Sequence, residues 1–288
     1  MLKIEQVLAV ETPKLQIPIG REAAIAALLE SGLPALPVVD AQGRYIGGLT
    51  AEALLQNPEE EQVGVLVSDD KAEPATALLG NAQINTIQRR GYIFVSNGEG
   101  KLSGATYTRD VLKKALARKE FERVPITPKI TRKFPLIWGK TPSNIAWRSL
   151  GFLDQSEALI TDDSMSNFRT VSAVNLLRAI TEEKISIREE AGAAGAEEEW
   201  GVEGTQIIYM DKLVLQLSSK PIEAFASAVR QHILLSDSVA TVAAKMCTEN
   251  ARLLPVINTD RTLVGAVAAN DLLDLMITSS SESLQPLN

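Results

Sequence analysis

The chain has 288 residues, of which 45% are apolar and 23% charged, so it can bury a normal core and is long enough for two ordinary domains. A net charge of −7 argues against nucleic acid as the main partner, because phosphate binding requires a basic face. The single cysteine, Cys247, excludes an internal disulfide and a cysteine zinc cluster, and its apolar neighbours predict a buried core thiol. The sequence shows neither a signal-peptide pattern nor a run of roughly 18 apolar residues, so we predict a cytoplasmic protein.

The first predicted unit consists of a short strand over residues 17–20, a helix over residues 21–32 and a hairpin. The helix ends at a glycine, as helices often do. The segment LPVVDAQGRYIGGLTAEALL, residues 36–55, contains two short apolar runs around a turn at residues 40–43. A second helix, which ends in the pair Leu54–Leu55, closes the unit.

The second unit repeats this order. We predict a helix over residues 79–90, followed by YIFVSNGEGKLSGATYTRDVL over residues 92–112. Asn97-Gly98 is a strong hairpin signal between the two apolar runs of this segment. The helix that follows ends in the pair Val111–Leu112.

The third unit begins with a predicted strand over residues 134–138 and a helix with Thr141 as N-cap and Pro142 at the first helical position. EALITDDSMSNFRTVSAVNLL, residues 157–177, supplies its hairpin and closing helix. Residues 181–206 are rich in Gly, Ala and Glu, which predicts a solvated linker that starts as an extension of the preceding helix.

The remainder of the chain contains the fourth unit. Residues 207–217 alternate enough to predict an extra strand or hairpin, and residues 232–236 supply a first strand. We expect the next helix to begin at Ser236 or Asp237. LPVINTDRTLVGAVAANDLL, residues 254–273, then gives a hairpin and a closing helix.

One frame underlies all four units. In the first and fourth units a proline lies ten residues before a glycine: Pro37 before Gly47, and Pro255 before Gly265. The second unit has Gly104 at the glycine position, whereas the third has Arg169 there. Every unit combines an apolar run, a polar turn, a second run and a helix that ends in paired aliphatic residues. The sequence therefore contains four divergent copies of a repeat of about sixty residues.

This frame resembles the CBS (cystathionine-β-synthase) domain family, whose units pair side by side into Bateman modules. The resemblance covers roughly residues 1–180 and 221–278. It implies an α/β (α+β) fold of four tandem β-α-β-β-α repeats, with repeat 1 paired to 2 and repeat 3 to 4. Four such repeats are similar to the gamma subunit of AMP-activated kinase and to archaeal stand-alone CBS proteins. The boundaries are residues 1–60, 61–118, 119–180 and 207–280 for the repeats, 181–206 for an acidic linker and 281–288 for a flexible tail.

The resemblance also implies ligand contacts, because CBS clefts bind adenosine derivatives through a Thr or Ser and an Asp at the start of the last helix. Here the first position holds Thr50, Tyr107, Ser172 and Ala268, and the second holds Ala53, Asp110, Asn175 and Asp271. The third copy, with Ser172 and Asn175, comes closest to the full pair. The same spacing is that of a helix N-capping frame, so a purely structural role stays open.

Phosphate groups would require cations near the cleft. Arg252 precedes a strand of the fourth copy, and Arg89 and Arg90 precede the matching strand of the second. The second and fourth copies are therefore the better candidates, whereas in the third copy Glu157 would repel a phosphate. The candidate ligand-binding residues are Asp110, Asp271, Arg109, Arg252, Arg90, Thr50, Ser172 and Asn175.

The resemblance implies a regulatory or sensor protein that binds AMP, ADP, ATP or S-adenosylmethionine between repeats and modulates a partner protein. A ligand-free interaction scaffold with decayed sites is the alternative, and association into a homodimer through the module faces stays open. We predict no cofactor, no metal site and no contact with a membrane. The sequence contains no nucleophile–base pair, no GxxxxGK[ST] loop and no GxGxxG after a strand, so we predict that the chain is not an enzyme.

Overall fold

The computed structural model describes residues 3–8, 12–116, 119–126, 131, 133–153, 156–165, 167–191, 206–273 and 275. The predicted tail over residues 281–288 and the acidic run Glu197–Glu199 lie outside these residues. In the part that is described, no helix has the length and apolar character needed to cross a membrane.

The first two repeats follow the predicted order. Repeat 1 consists of β1 (Leu15–Gln16), α1 (Arg21–Ser31), β2 (Ala35–Val39), β3 (Tyr45–Thr50) and α2 (Ala51–Gln56). Repeat 2 consists of β4 (Glu73–Pro74), α3 (Asn81–Arg90), β5 (Tyr92–Ser96), β6 (Leu102–Tyr107) and α4 (Thr108–Leu116). Helices α1 and α3 both end before a glycine in the left-handed region, at Gly32 (φ 62°) and Gly91 (φ 86°).

The last two repeats share this order and are separated by a long hairpin. Repeat 3 consists of β7 (Leu136–Trp138), α5 (Ser143–Phe152), β8 (Glu157–Thr161), β9 (Phe168–Ser172) and α6 (Ala173–Leu176). The hairpin strands are β10 (Ile180–Ala191) and β11 (Gln206–Leu217). Repeat 4 consists of β12 (Ser227–Ala228), β13 (Ile233–Leu234), α7 (Val239–Glu249), β14 (Leu253–Ile257), β15 (Leu263–Ala268) and helical residues 269–273.

Each repeat builds its own small sheet. In each sheet a short strand runs parallel to a middle strand, and the next strand returns antiparallel to it, in the orders β1-β2-β3, β4-β5-β6, β7-β8-β9 and β13-β14-β15. The sheet of repeat 3 gains a fourth strand, β12, which pairs antiparallel with β9. The middle strands are buried almost throughout, as their short apolar sequences require. The predicted β-α-β-β-α repeat is thus confirmed.

The repeat glycines lie beside a β-bulge, and repeat 3 has no bulge. In repeats 1, 2 and 4 the glycine of the third strand pairs with a valine just before the register shifts, as Gly47 does with Val38. A Cβ at Gly47 would collide with the carbonyl oxygen of Ser68, whose segment crosses this strand. In repeat 3 the register is regular, and Arg169 points outward, where its guanidinium donates to the carbonyl of Glu223 at 3.1 Å. Arg169 therefore replaces the glycine without a clash.

Several predicted boundaries are wrong by one to four residues, including the starts of α3 and β7, which begin two residues later than expected. Strand β1 ends at Gln16 instead of spanning residues 17–20, because Pro18 has no N–H to continue the ladder. Helix α5 begins at Ser143, with Pro142 rather than Thr141 at the N-cap position. Helix α7 begins at Val239 with Ser238 as N-cap, since Asp237 instead accepts from the Leu234 N–H at 3.1 Å.

The expected linker over residues 181–206 is wrong for residues 181–191. These residues belong to β10, which pairs antiparallel with β11 from Ile180 opposite Leu217 to Ala191 opposite Gln206. The predicted extra strand over residues 207–217 is confirmed as β11. The charged side chains hid this strand, because a two-stranded ribbon can satisfy its backbone without burying a hydrophobic face.

Repeat 1 contacts repeat 2, repeat 3 contacts repeat 4, and the two pairs also pack against each other. The Tyr107 hydroxyl donates to the Ala35 carbonyl at 3.1 Å between repeats 1 and 2, and β14 contacts β8 and β9 between repeats 3 and 4. We call these pairs module 1 and module 2. Between modules, α4 packs on α7 and α2 packs on α6. One buried apolar core joins repeats 1 and 3 with the inner strands of repeat 2, and a second joins repeats 2 and 4.

Segments outside the repeats complete these cores. Ile4 and Val7, near the N-terminus, are buried in the core of repeats 2 and 4, as are Phe121 and Ile126 from the stretch before repeat 3. Cys247 is a half-buried free thiol at the edge of the same core, and burial raises its pKa. Its predicted place in a core is therefore confirmed in part.

A buried arginine fixes the end of α2. Arg21, the first residue of α1, donates to the carbonyls of Asn57, Glu60 and Leu54 at 3.0, 3.1 and 3.3 Å. Carbonyls at the C-terminal end of a helix have no partner within the helix, so this guanidinium satisfies the last turn of α2 and ties the segment that follows it to the start of α1.

Candidate functional site

A cavity of about 270 Å³ lies between repeats 3 and 4, with one wall from repeat 1; we call it the 3–4 cleft. Repeat 3 contributes the end of β9 and the start of α6, and repeat 4 contributes the end of α7 and the start of β14. Apolar contact surface comes from the partly exposed side chains of Leu29, Val174 and Val229, with Val171 and Leu253 buried behind the wall. A cleft between paired units with apolar walls and a few polar groups is the usual form of a small-molecule site.

Ser172 and Asn175 both line the 3–4 cleft. They form a capping box, in which the Ser172 hydroxyl accepts from the Asn175 N–H at 3.4 Å and the Asn175 Oδ1 accepts from the Ser172 N–H at 3.0 Å. The Asn175 Nδ2 also donates to the Ser227 hydroxyl at 3.1 Å, which ties repeat 3 to the segment before repeat 4. The capping interpretation of this pair is confirmed, and the same side chains are available at the cavity wall.

Arg252 lines this cleft and also contributes to a second cavity. Its Nε lies 3.0 Å from Glu157 Oε1, and both side chains are mostly buried, at 30% and 14% exposure. Glu157 was expected to repel a phosphate from repeat 3; the structure shows that it neutralises the arginine of repeat 4. A buried pair of this kind retains its charges only because each partner compensates the other.

Glu52 lies beside this ion pair and lines both cavities. Burial raises the pKa of its carboxyl, and the nearby charge of Glu157 raises it further, although Arg252 opposes the shift. Because Glu52 and Glu157 both lie near Arg252, a further negative charge, such as that of a ligand, is disfavoured there.

The second cavity, of about 380 Å³, lies where all four repeats meet, and we call it the central cavity. Its charged lining residues are Arg89, Arg90 and Arg252, with Glu52 as the carboxylate. Thr50 lines the same cavity and is the N-cap of α2, where its hydroxyl accepts from the Ala53 N–H at 3.0 Å.

Arg90 is held by a carboxylate that the sequence did not indicate. Its guanidinium forms an ion pair with Asp70, which also accepts from the Ser68 hydroxyl at 2.9 Å. Burial raises the pKa of the Tyr45 and Tyr92 phenols above the ordinary range, and the negative charge of Asp70 raises it further. The Arg90 charge is therefore partly compensated at the edge of the central cavity.

The structure places the remaining predicted residues elsewhere. Arg109 donates to Asn250 Oδ1 at 2.7 Å and lines a small cavity between α4 and α7. Asp110 accepts from the Tyr107 N–H at 3.1 Å at the start of α4, and Asp271 is buried in repeat 4. Neither aspartate lines the 3–4 cleft, the central cavity or the small cavity.

Sequence reasoning missed four charged residues at these cavities. Glu52, Arg178 and Glu249 line the 3–4 cleft, and Asp70 holds Arg90. Glu52 lies in the first repeat segment but at neither of the two ligand positions, and Arg178, Glu249 and Asp70 lie outside the repeat segments, so no local signal pointed to them. Among the described residues, no group of His, Cys, Asp and Glu side chains has the arrangement needed to hold a metal ion.

No protein-family model and no curated protein matches the sequence. Solved structures do resemble it. MJ1225 from Methanocaldococcus jannaschii, proposed as an archaeal homologue of g-AMPK, superposes with a TM-score of 0.71 at 14% identity over 95% of this chain and 99% of its own. An uncharacterised conserved protein from Pyrococcus horikoshii gives a TM-score of 0.56 at 17% identity over 96% of this chain and 100% of its own.

A shorter protein, CBSX2, solved in complex with AMP, matches 41% of this chain and 98% of its own at 18% identity and a TM-score of 0.37. The full-length superpositions establish the architecture. The chain has the fold of the four-repeat CBS-domain proteins.

Proposed function

We propose that this chain is a regulatory protein that binds an adenosine-containing small molecule in the 3–4 cleft and modulates a partner protein. The observation that carries the proposal is the cleft itself, in which the Ser172–Asn175 pair meets apolar walls within a cavity of about 270 Å³. The Asn175 Oδ1 accepts from both the N–H and the hydroxyl of Ser172, so the amide offers the second hydrogen of its Nδ2 to a ribose hydroxyl. Val174 and Val229 offer an apolar surface for a base.

A sensor of this kind requires no catalytic group. A ligand that binds one arrangement of the repeats better than another shifts the population towards that arrangement. The 3–4 cleft suits such a role because its walls come from repeats 1, 3 and 4, so a bound molecule contacts both modules.

The test is a thermal-shift and calorimetric series on the full chain with adenosine, AMP, ADP, ATP and S-adenosylmethionine. A ligand that binds the folded state raises the melting temperature by mass action. Asn175→Ala should abolish the rise. Asn144→Ala is the matched control, since Asn144 is an exposed amide near the start of α5 that accepts from the adjacent Ile145 N–H at 2.8 Å and lines neither cavity.

A ligand-free interaction scaffold is the second candidate, and one observation favours it. Arg252 and Arg90 each have a carboxylate partner, and Asn175 is hydrogen-bonded to Ser172 and Ser227, so these polar groups are satisfied within the protein. If none of the compounds in the series raises the melting temperature, the result favours the scaffold. Hydrolysis of a nucleotide by the pure protein would instead support an enzyme.

A further inference from the structure

The charges around the 3–4 cleft do not suit a phosphate. Three carboxylates line it, from Glu52, Glu157 and Glu249, against the guanidinium groups of Arg178 and Arg252. Of the two cations, Arg252 already pairs with Glu157, and Arg178 is solvent-exposed. An exposed guanidinium is screened by water and salt and attracts an anion weakly.

A phosphate could recruit Arg252 only by competing with Glu157. The exchange would leave the mostly buried Glu157 carboxylate beside the phosphate, in a cleft that Glu52 also lines. Breaking a buried pair leaves an uncompensated charge, and placing like charges together adds repulsion. The carboxylates around the cleft therefore disfavour phosphorylated ligands. They do not disfavour a neutral ligand that contacts the apolar walls and the Ser172–Asn175 pair.

The central cavity has more cations in its lining. Arg89, Arg90 and Arg252 line it together with one carboxylate, that of Glu52, although Arg90 pairs with Asp70 and Arg252 with Glu157. Arg89 is therefore the guanidinium that an anion in the central cavity would contact, and the described lining of the 3–4 cleft has no counterpart to it apart from the exposed Arg178.

Resting on the proposed function, we infer that the 3–4 cleft takes adenosine compounds that carry no phosphate and whose substituent is neutral or positively charged. Calorimetry on the full chain with adenosine, S-adenosylmethionine and AMP tests this inference. We expect the two phosphate-free compounds to bind at least about tenfold more tightly than AMP at this site. Asn175→Ala should weaken both.

Charge-removing variants identify the cause. Glu157→Gln frees Arg252 from its carboxylate partner. The ratio of the Kd for AMP to the Kd for adenosine should fall about tenfold or more. The binding of S-adenosylmethionine should weaken relative to that of adenosine, because the variant removes a negative charge. Because this variant also breaks a buried pair, Glu249→Gln is the second variant; its carboxylate accepts from the Arg230 N–H at 3.4 Å and should act in the same direction. Glu99→Gln, in an exposed turn of repeat 2, is the control and should change nothing.

The outcomes separate the two proposals. If no adenosine compound binds, the proposed function fails and this inference fails with it. If AMP binds as tightly as adenosine and Asn175→Ala weakens both, the inference alone is overturned. AMP binding that Arg89→Gln abolishes and Asn175→Ala leaves intact supports it, because the phosphate then occupies the central cavity.

Discussion

Glu52 is a carboxylate in surroundings that disfavour its charge. Burial is the main cause of its raised pKa, and Glu157 adds to the shift. The ionised form is therefore less favourable in the folded chain than in the unfolded one, where the ordinary value is 4.5. Above that pH the unfolded state releases the proton more readily, so Glu52 lowers the free energy of unfolding as the pH rises.

Glu52→Gln should accordingly stabilise the protein at pH 7, because the amide has the same shape and no charge. The gain should shrink as the pH falls towards 4.5 and vanish below it, where Glu52 is protonated in both states. Urea unfolding at several pH values measures this. A gain that is equal at pH 7 and pH 4, or a loss of stability at pH 7, would contradict the predicted direction.

Arg21 acts at the same scale through hydrogen bonds. Arg21→Met keeps much of the side-chain volume but removes the guanidinium from three carbonyls at and just beyond the end of α2, of which, among the described residues, only that of Asn57 keeps a second donor, the Glu60 N–H. We expect a loss of about 2–3 kcal/mol in the free energy of unfolding, since bonds to a charged group are worth more than neutral ones. Arg44→Met is the control, because Arg44 is exposed and pairs only locally with Asp40. Equal effects of the two substitutions would refute this role for Arg21.

At the scale of elements, the segment at Ser68 crosses closely over β3, and this close approach restricts which residue can stand at Gly47. Gly47 lies under this crossing, so Gly47→Ala should force the backbone of one segment to move. We expect a loss of about 1–3 kcal/mol. Gly98→Ala should stay within about 0.5 kcal/mol, because the space around Gly98 is open and its φ is not positive. Denaturant unfolding of both variants checks the contrast.

The elements that the sequence predicted well are those specified by short-range patterns. Hairpins with Asn97-Gly98 or an Asp turn, and helices that end in glycine, depend on neighbouring residues, and the structure confirms them. Strand β10 depends on β11, which pairs with it across residues 192–205, and no local hydrophobic pattern marks it. The same limit applies to the site: Ser172 and Asn175 could be paired from their spacing, whereas Arg252 and Glu157 lie in different repeats and meet only through tertiary packing.

At the scale of the whole molecule, each large core contains residues of both modules. Helices α4 and α7 pack together between repeats 2 and 4, and the core of repeats 1 and 3 includes strands of repeat 2. Neither module therefore has a complete core without the other. The faces that join the modules are occupied within one chain, and homodimer formation stays an untested prediction.

Leu112→Ala probes this coupling. Leu112 is fully buried in α4, in the core of repeats 2 and 4, and its truncation should cost about 2–5 kcal/mol. Because both modules share that core, we expect one cooperative calorimetric transition that moves as a whole to lower temperature. Ile145→Ala, at an exposed position of α5, should leave the melting temperature nearly unchanged. Two separate transitions, of which only one moves, would show that the modules unfold independently.

The burial of Ile4 and Val7 in the core of repeats 2 and 4 has a consequence for synthesis on the ribosome. The Ile4 N–H donates to the Ala77 carbonyl at 3.0 Å, and the Thr106 hydroxyl donates to the Val7 carbonyl at 3.5 Å. Residues 3–8 precede repeat 2 in the chain, so during translation they cannot dock until repeat 2 has been made. Removal of residues 3–8 would therefore damage repeat 2 rather than the repeat that follows them in the chain.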